Sequence, residues 1–368
     1  MLELFFDLAF VASLALASQK MATEQTWTGL SQTLLAISTL WAVWVTTTLI
    51  TDSYQPRQRP IPYLILGSMF GLMLMSAALP DAFGEHGLIF GASWAVVILG
   101  RELVLIRSLR GRPGQERSLR ALVWNLGSGT LWVVGGLVPD SGRRFAVWLV
   151  ALATDYIAYG FRFPIPGRAP LPQYRATSDH LAERYQQVYI LTVGELILVS
   201  VLSLSQETFS LYRIGAFGTA FLTAVLLWWS YARGAGAKLR AAIEASPHRA
   251  RLVQTNPYAH WLMIAGVACT AAGFERVIAE PGERPGAVMT ALIVGGASLF
   301  LSGRAVLEHE VYGRIPLSHV VGVVAAIATV PHAPRLPGLA LSVAATLVLL
   351  GVAAGELLRT YRYSESYS

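Results

Sequence analysis

Apolar blocks of nearly constant length fill this chain. They lie at about 2–18, 30–50, 61–79, 86–106, 119–138, 143–162, 184–204, 211–231, 257–280, 286–304, 316–331 and 337–358. A helix needs about 20 predominantly apolar residues to cross a bilayer, so the series predicts about twelve spans. Only 14% of the residues are charged, against about 25% in soluble domains. The expected fold class is therefore all-α, a polytopic transmembrane helix bundle. Connections are short, the longest at about 163–183 and 232–256, so no separate soluble domain is expected.

The charges test the count of spans. The net charge is +6, from 28 Lys and Arg against 22 Asp and Glu. With the N-terminus inside, the inner connections carry 20 Lys and Arg, counting Arg184 and Arg304 at the span ends, and the outer connections 7, counting Arg143 and Arg144. That bias follows the positive-inside rule and points to twelve spans in the inner (plasma) membrane, with both termini cytoplasmic. The basic residues read as an orientation signal, so the expected partners are the lipid bilayer and an unidentified small molecule or ion, not nucleic acid. The single cysteine, Cys269, precludes an intrachain disulfide and a C-x-x-C motif. The opening Met1-Leu2-Glu3 lacks the basic n-region of a signal peptide, so residues 2–18 are expected to form the first span; a late start, with a basic leader missing, fits the same residues.

Several motifs recur six spans apart. Glu3-Leu4 pairs with Glu195-Leu196, Trp41 and Trp44 with Trp228 and Trp229, and Pro62-Tyr63 with Pro257-Tyr258. Gly100-Arg101 followed by Gly111-Arg112 pairs with Gly303-Arg304 followed by Gly313-Arg314. A six-span offset preserves orientation, which suggests a parallel six-plus-six repeat. The halves would be 1–162 and 184–368, joined by a cytoplasmic connector at 163–183.

Acids inside apolar spans are expensive and usually face a protein interior or a wet cavity. Glu3 and Asp7 stand four residues apart, on one helical face. In the seventh span, His180, Arg184, Gln187 and Glu195 form one stripe, with Glu183 beside it. Glu195 is eleven residues beyond Arg184, roughly 16 Å at the α-helical rise, which places it near the bilayer midplane. In the sixth span Asp155, Tyr159 and Arg162 share a face, so an intrahelical contact is expected. Arg101 is the one basic residue deep within a span, the natural counter-ion for Glu3, Asp7, Asp155 or Glu195, with Asp7 the favoured partner. Adjacent Glu102 should point to another face.

Other chemistry finds little support. No H-E-x-x-H, H-x-x-E-H, G-x-S-x-G, P-loop or D-D-x-x-D motif occurs. Glu308-His309-Glu310 is expected as a solvated cluster in a loop. No metal or cofactor is expected. Gly67 and Gly71 permit close helix packing, and tryptophans near span ends are expected as interfacial anchors.

The opening Leu2-Glu3-Leu4-Phe5-Phe6-Asp7-Leu8-x-Phe10-Val11 resembles the hallmark of the bacterial low temperature requirement A family of multi-pass membrane proteins. His180-x-x-Glu183-Arg184-Tyr185, followed by Gly194-Glu195, resembles its central motif, and Trp228-Trp229-x-Tyr231 a third signature. After that tyrosine the family usually carries an aromatic and an acid; here Ala232-Arg233 follows. The resemblance spans essentially the whole chain. It implies a requirement for growth at low temperature, and it names no reaction. The motif residues it carries over are Glu3, Asp7, Glu183, Arg184 and Glu195.

The first expectation is a transporter or channel whose acids Glu3, Asp7 and Glu195 line a polar cavity and handle a proton, a cation or a polar solute. One rival is a membrane-embedded enzyme using the same acids on a lipid or isoprenoid. The other is a structural or regulatory protein whose charges only pair.

Overall fold

A computed structural model describes residues 1–53, 60–112, 114–169, 178–233, 239, 241 and 249–365. Among them the long elements are all helices: α1 (Leu2–Thr23), α2 (Trp27–Ser53), α3 (Pro60–Ala78), α4 (Gly87–Ser108), α5 (Gly114–Leu137), α6 (Ser141–Gly160), α7 (Ser178–Ser205), α8 (Leu211–Arg233), α9 (Arg249–Ala279), α10 (Ala287–Tyr312), α11 (Leu317–Ala328) and α12 (Gly338–Glu365). Ten have the length and apolarity to cross a membrane, α11 by continuing through a 3-10 turn to Arg335. The other two are α5, diluted by Asn125, Gly127, Ser128 and Gly129, and α6, which carries Arg143, Arg144 and Asp155. Part of the expected connector, 170–177, lies outside the described residues, as do Arg57, Arg59, Arg175, Lys238 and Arg240 of the charge count.

The helices form two compact units, Met1–Ala17 with Ser31–Arg184 and Ser18–Leu30 with Tyr185–Ser368. In the first, α4 and α5 nearly touch. A Cβ at Gly91 would stand 2.3 Å from the Trp132 carbonyl oxygen, so only glycine fits there. Around this contact Trp132 lies 5.4 Å from both Trp94 and Trp148, ring to ring, and Phe83 lies 5.0 Å from Trp148. Trp41, Trp44, Trp94, Trp132 and Trp148 are all buried, which for Trp41 and Trp44 corrects the expected role as interfacial anchors. The indole N–H explains part of it: Trp148 donates to the Trp132 carbonyl at 2.9 Å, so the polar tip needs no headgroup. Of the two glycines expected to pack, Gly71 does, with a Cβ position 2.0 Å from Val97, whereas nothing approaches Gly67.

Asp140 caps α6, its carboxylate accepting from the Arg143 N–H at 2.8 Å. Arg144 was counted in an outer connection, but it is buried and donates to the carbonyls of Ala82, Gly84 and Val138 at 2.9, 2.6 and 2.8 Å. Its guanidinium thus satisfies acceptors that the helix ends leave open.

In the second unit α9 and α10 pack through glycines. A Cβ at Gly303 would stand 2.7 Å from the Ala259 carbonyl. Helix α10 contains one π turn, Ala291–Gly295. It ends at Gly313, whose φ of 69° suits glycine and whose N–H reaches the His309 carbonyl at 2.8 Å. Glu308, His309 and Glu310 therefore lie on α10, not in a loop. The helix runs on past Arg304, whose guanidinium meets Glu308 one turn later at 3.0 Å.

Candidate functional site

In the first unit α1, α2 and α7 bring five ionisable side chains and an indole together. Arg184 grips Asp7 with both arms of its fork, Nη1 to Oδ2 and Nη2 to Oδ1, each at 2.6 Å. Trp44 donates its indole N–H to Asp7 Oδ1 at 2.7 Å and lies 5.7 Å beneath the guanidinium. Asp7 and Arg184 are 0% and 2% exposed. Two parallel charge-assisted bonds plus a third donor leave this carboxylate little unused acceptor capacity. One turn away, His180 Nε2 stands 2.9 Å from Glu3 Oε2, and its Nδ1 stands 3.5 Å from Asp52 Oδ1.

Asp7 was expected to pair with Arg101, and it does not. Arg101 donates to the Thr46 hydroxyl at 2.5 Å, and its Nε and Nη2 lie 3.4 Å from Glu102 Oε1. Neighbouring residues leave a helix in different directions, but the long arginine side chain bends back to its neighbour's carboxylate. Asp155 also departs from expectation. Its Oδ2 accepts from Trp132 Nε1 at 3.0 Å. Helix α6 ends at Gly160, and Arg162 adopts a φ of 60°, so the face shared with Tyr159 stops before reaching Arg162.

In the second unit Glu195 is 2% exposed and accepts from the Ser18 hydroxyl at 2.6 Å. Its Oε2 has no hydrogen-bond partner, and no basic side chain pairs with it, among the described residues. Glu3–His180, Asp7–Arg184 and Ser18–Glu195 are each 177 residues apart, so the α1 and α7 positions match one for one. Of the expected stripe, Gln187 is half-buried; its neighbour Glu183 is exposed.

Three members of these contacts are not site residues in the sequence reading: Ser18, Trp44 and Asp52. Spacing held a signal for Ser18. It follows Asp7 by eleven residues, as Glu195 follows Arg184, and eleven residues return to nearly the same helical face. Arg304, assigned by sequence to an inner loop, is fully buried, with its Nε 3.3 Å from Ser230 Oγ. His260 Nδ1 lies 3.1 Å from the Asn256 carbonyl, which can only accept. The ring's hydrogen therefore sits on Nδ1, and Nε2 is left to accept from the Tyr231 hydroxyl at 3.0 Å. Tyr231 is the tyrosine of the third signature. Among the described residues no three or more His, Cys, Asp or Glu side chains are arranged to hold a metal ion.

Comparison with known proteins gives the chain its relatives. Residues 1–354 match the family described as bacterial low temperature requirement A protein (LtrA). An uncharacterized protein of Rhizobium meliloti (strain 1021) is 30% identical over 365 residues, covering 96% of this chain and 88% of the relative. No solved structure matches. With its series of apolar helices, this chain is a membrane protein and belongs to the bacterial low temperature requirement A family.

Proposed function

We propose that this protein is a transporter of the plasma membrane in which Glu195 takes up and releases a proton. The observation that carries the reading is Glu195 itself: buried deep in α7, bonded to a hydroxyl and opposed by no cation among the described residues. Such an acid changes protonation without breaking an ion pair, whereas Asp7 would have to leave Arg184. Intramembrane acids that are not locked in pairs mark ion and proton pathways.

The topology belongs to the same proposal: twelve spans, cytoplasmic termini, and halves 1–162 and 184–368 joined by 163–183. Arg184 and Arg304 leave the inner connections for helix interiors, yet the remaining charges keep the inward bias. Two buried arginines support the repeat. Arg101 on α4 donates to a hydroxyl on α2, Thr46, and Arg304 on α10 donates to a hydroxyl on α8, Ser230.

The test uses proteoliposomes loaded with a pH-sensitive dye. The wild-type protein should carry protons down an imposed gradient, and Glu195→Gln should slow that flux by about a hundredfold, the scale of a lost proton-transfer group. Glu195→Gln should also fail to restore growth in the cold. Wild-type flux in the folded, inserted Glu195→Gln protein would sink the reading.

A further inference from the structure

In the first unit, the turn joining α4 to α5 and the segment after α6 collect charge of one sign. Arg107, Arg110 and Arg112 lie at the end of α4 and just beyond it, all exposed. Arg117 and Arg120 follow on the first turns of α5, and Arg162 and Arg168 lie beyond α6. Within residues 107–120 and 161–169 the one acid is Glu116, which accepts from Arg120 Nε at 3.0 Å. None of the other arginines in these stretches forms a salt bridge with a carboxylate among the described residues. The end of α10 and the turn after it carry Glu308, Glu310 and Arg314, so orientation in a membrane does not by itself demand so uniform a cluster.

Packing makes these arginines one surface. Arg120 Nη1 donates to the Ile165 carbonyl at 2.7 Å and the Trp124 indole to the Pro164 carbonyl at 3.1 Å. The segment after α6 is thereby folded against the start of α5. Phe163 is buried with Ala121 and Ala158, and the Ala169 N–H closes onto the Arg162 carbonyl at 2.9 Å. Arg162 and Phe163 have φ of 60° and 50°, a left-handed backbone that residues with a Cβ hold only where their surroundings dictate it. On the other flank Gly111 turns the chain with a φ of 74°, its N–H bonded to Gln115 Oε1 at 2.8 Å. That turn sets Arg110 and Arg112 beside the start of α5. Between the flanks, the Arg117 guanidinium stands 5.4 Å from the Phe163 ring, and its Nη1 has no hydrogen-bond partner among the described residues.

Beside the arginines the same three helices expose apolar side chains: Leu103 on α4, Leu119 and Val123 on α5, and Ile157 on α6, with Phe161 just past its end. A chain that crosses a bilayer presents such surface to acyl chains. Charge and apolar surface together select the ligand. A free phosphate or an acidic peptide would use the charge and leave the apolar face bare, whereas a phospholipid uses both. The guanidinium fork matches a phosphate oxygen pair, and basic clusters at the ends of spans recognise anionic headgroups.

We propose that the ends of α4, α5 and α6 form a binding site for an anionic phospholipid, its headgroup phosphate held by Arg110, Arg112 and Arg168 and its chains lying along the exposed faces of these helices. The site makes no use of Glu195 and serves whichever side of the membrane this surface meets, so it is independent of the proton reading.

The experiment places the full chain in phosphatidylcholine vesicles with a trace of phosphatidylglycerol spin-labelled on one acyl chain. Electron paramagnetic resonance reads the fraction of label whose motion the protein restricts, with labelled phosphatidylcholine as the reference. The wild-type protein should restrict phosphatidylglycerol in preference. Arg110→Gln should lower its relative association constant about fivefold, the scale of one basic residue at a membrane surface, and Arg110→Gln, Arg112→Gln and Arg168→Gln together should abolish the preference. These side chains are exposed, so the variants should fold. Arg143→Gln with Arg335→Gln, two exposed arginines of other connections, should leave the preference unchanged, as should inorganic phosphate equimolar with the vesicle lipid. No preference in the wild-type protein would overturn the proposal, as would a preference that survives the triple substitution. An equal loss in the Arg143 and Arg335 variant would reduce the effect to net charge, and displacement by inorganic phosphate would assign the surface to a free anion; either result would also overturn it.

Discussion

Two buried acids, Asp7 on α1 and Glu195 on α7, meet opposite fates. Asp7 accepts two bonds from Arg184 and one from Trp44, all at 2.6–2.7 Å. Glu195 is as deeply buried, and it accepts one bond, from Ser18. The first arrangement is a clamp: each group's charge is spent on the other. The second is an acid held by a weak handle. Burial alone therefore separates neither from the other; the sign and number of the partners do. Depth in a span selects candidates for chemistry, and the partner list decides which of them is free to act.

The sharpest way to break the contrast is to remove one side of the clamp. Arg184→Ala leaves a buried carboxylate uncompensated and should destabilise the folded protein by about 3–5 kcal/mol. Thermal unfolding in lipid nanodiscs measures it, with Glu195→Gln as the reference expected to shift stability by less than about 1 kcal/mol. If the two variants lose equal stability, Glu195 is as locked as Asp7 and the distinction collapses.

A double-mutant cycle on Asp7→Asn and Arg184→Gln then isolates the pair. The groups are in direct contact, so the coupling energy should reach about 2–3 kcal/mol, near the upper end for neighbouring residues. Trp44→Phe added to the single variants should matter less, about 1 kcal/mol for one neutral donor. A coupling near zero would mean that α1 and α7 are held by packing, with the ion pair incidental.

The sequence carried much of this architecture and rather less of its wiring. Apolar block length located the helices because most of them, ten of the twelve described, are long and apolar enough to cross a bilayer, and the α1 and α7 acids stood out because acids are rare there. Partner identity was harder. Arg101 looked like the counter-ion of Asp7 on depth alone, but depth fixes one coordinate of three. Arg101 instead turns to Thr46 and to its own neighbour Glu102. Trp44 read as an anchor because an indole suits either a headgroup or a buried carboxylate, and composition does not distinguish the two. Arg304 and Glu308 read as loop residues because charge normally ends a span, whereas an i,i+4 ion pair lets the helix continue to Gly313.

The smallest expected effect is also the most discriminating. Ser18→Ala removes the one hydrogen bond that the Glu195 carboxylate accepts among the described residues and creates almost no cavity, because the substitution takes away only a hydroxyl. Stability should fall by about 1 kcal/mol, the worth of a single hydrogen bond, a loss that thermal unfolding resolves when compared with the much larger drop in Arg184→Ala. Proton flux should respond differently. If Ser18 orients an acid that exchanges protons, the Ser18→Ala protein should lose about tenfold in rate while remaining folded, because the carboxylate no longer rests in one position, and Ser18→Thr should restore most of it by returning the hydroxyl. If Ser18 and Glu195 only hold α1 to α7, the stability loss will appear, flux will stay at the wild-type rate, and Ser18→Thr will recover stability alone. Flux and stability moving independently would show Glu195 to be poised rather than clamped, which is the property that separates it from Asp7.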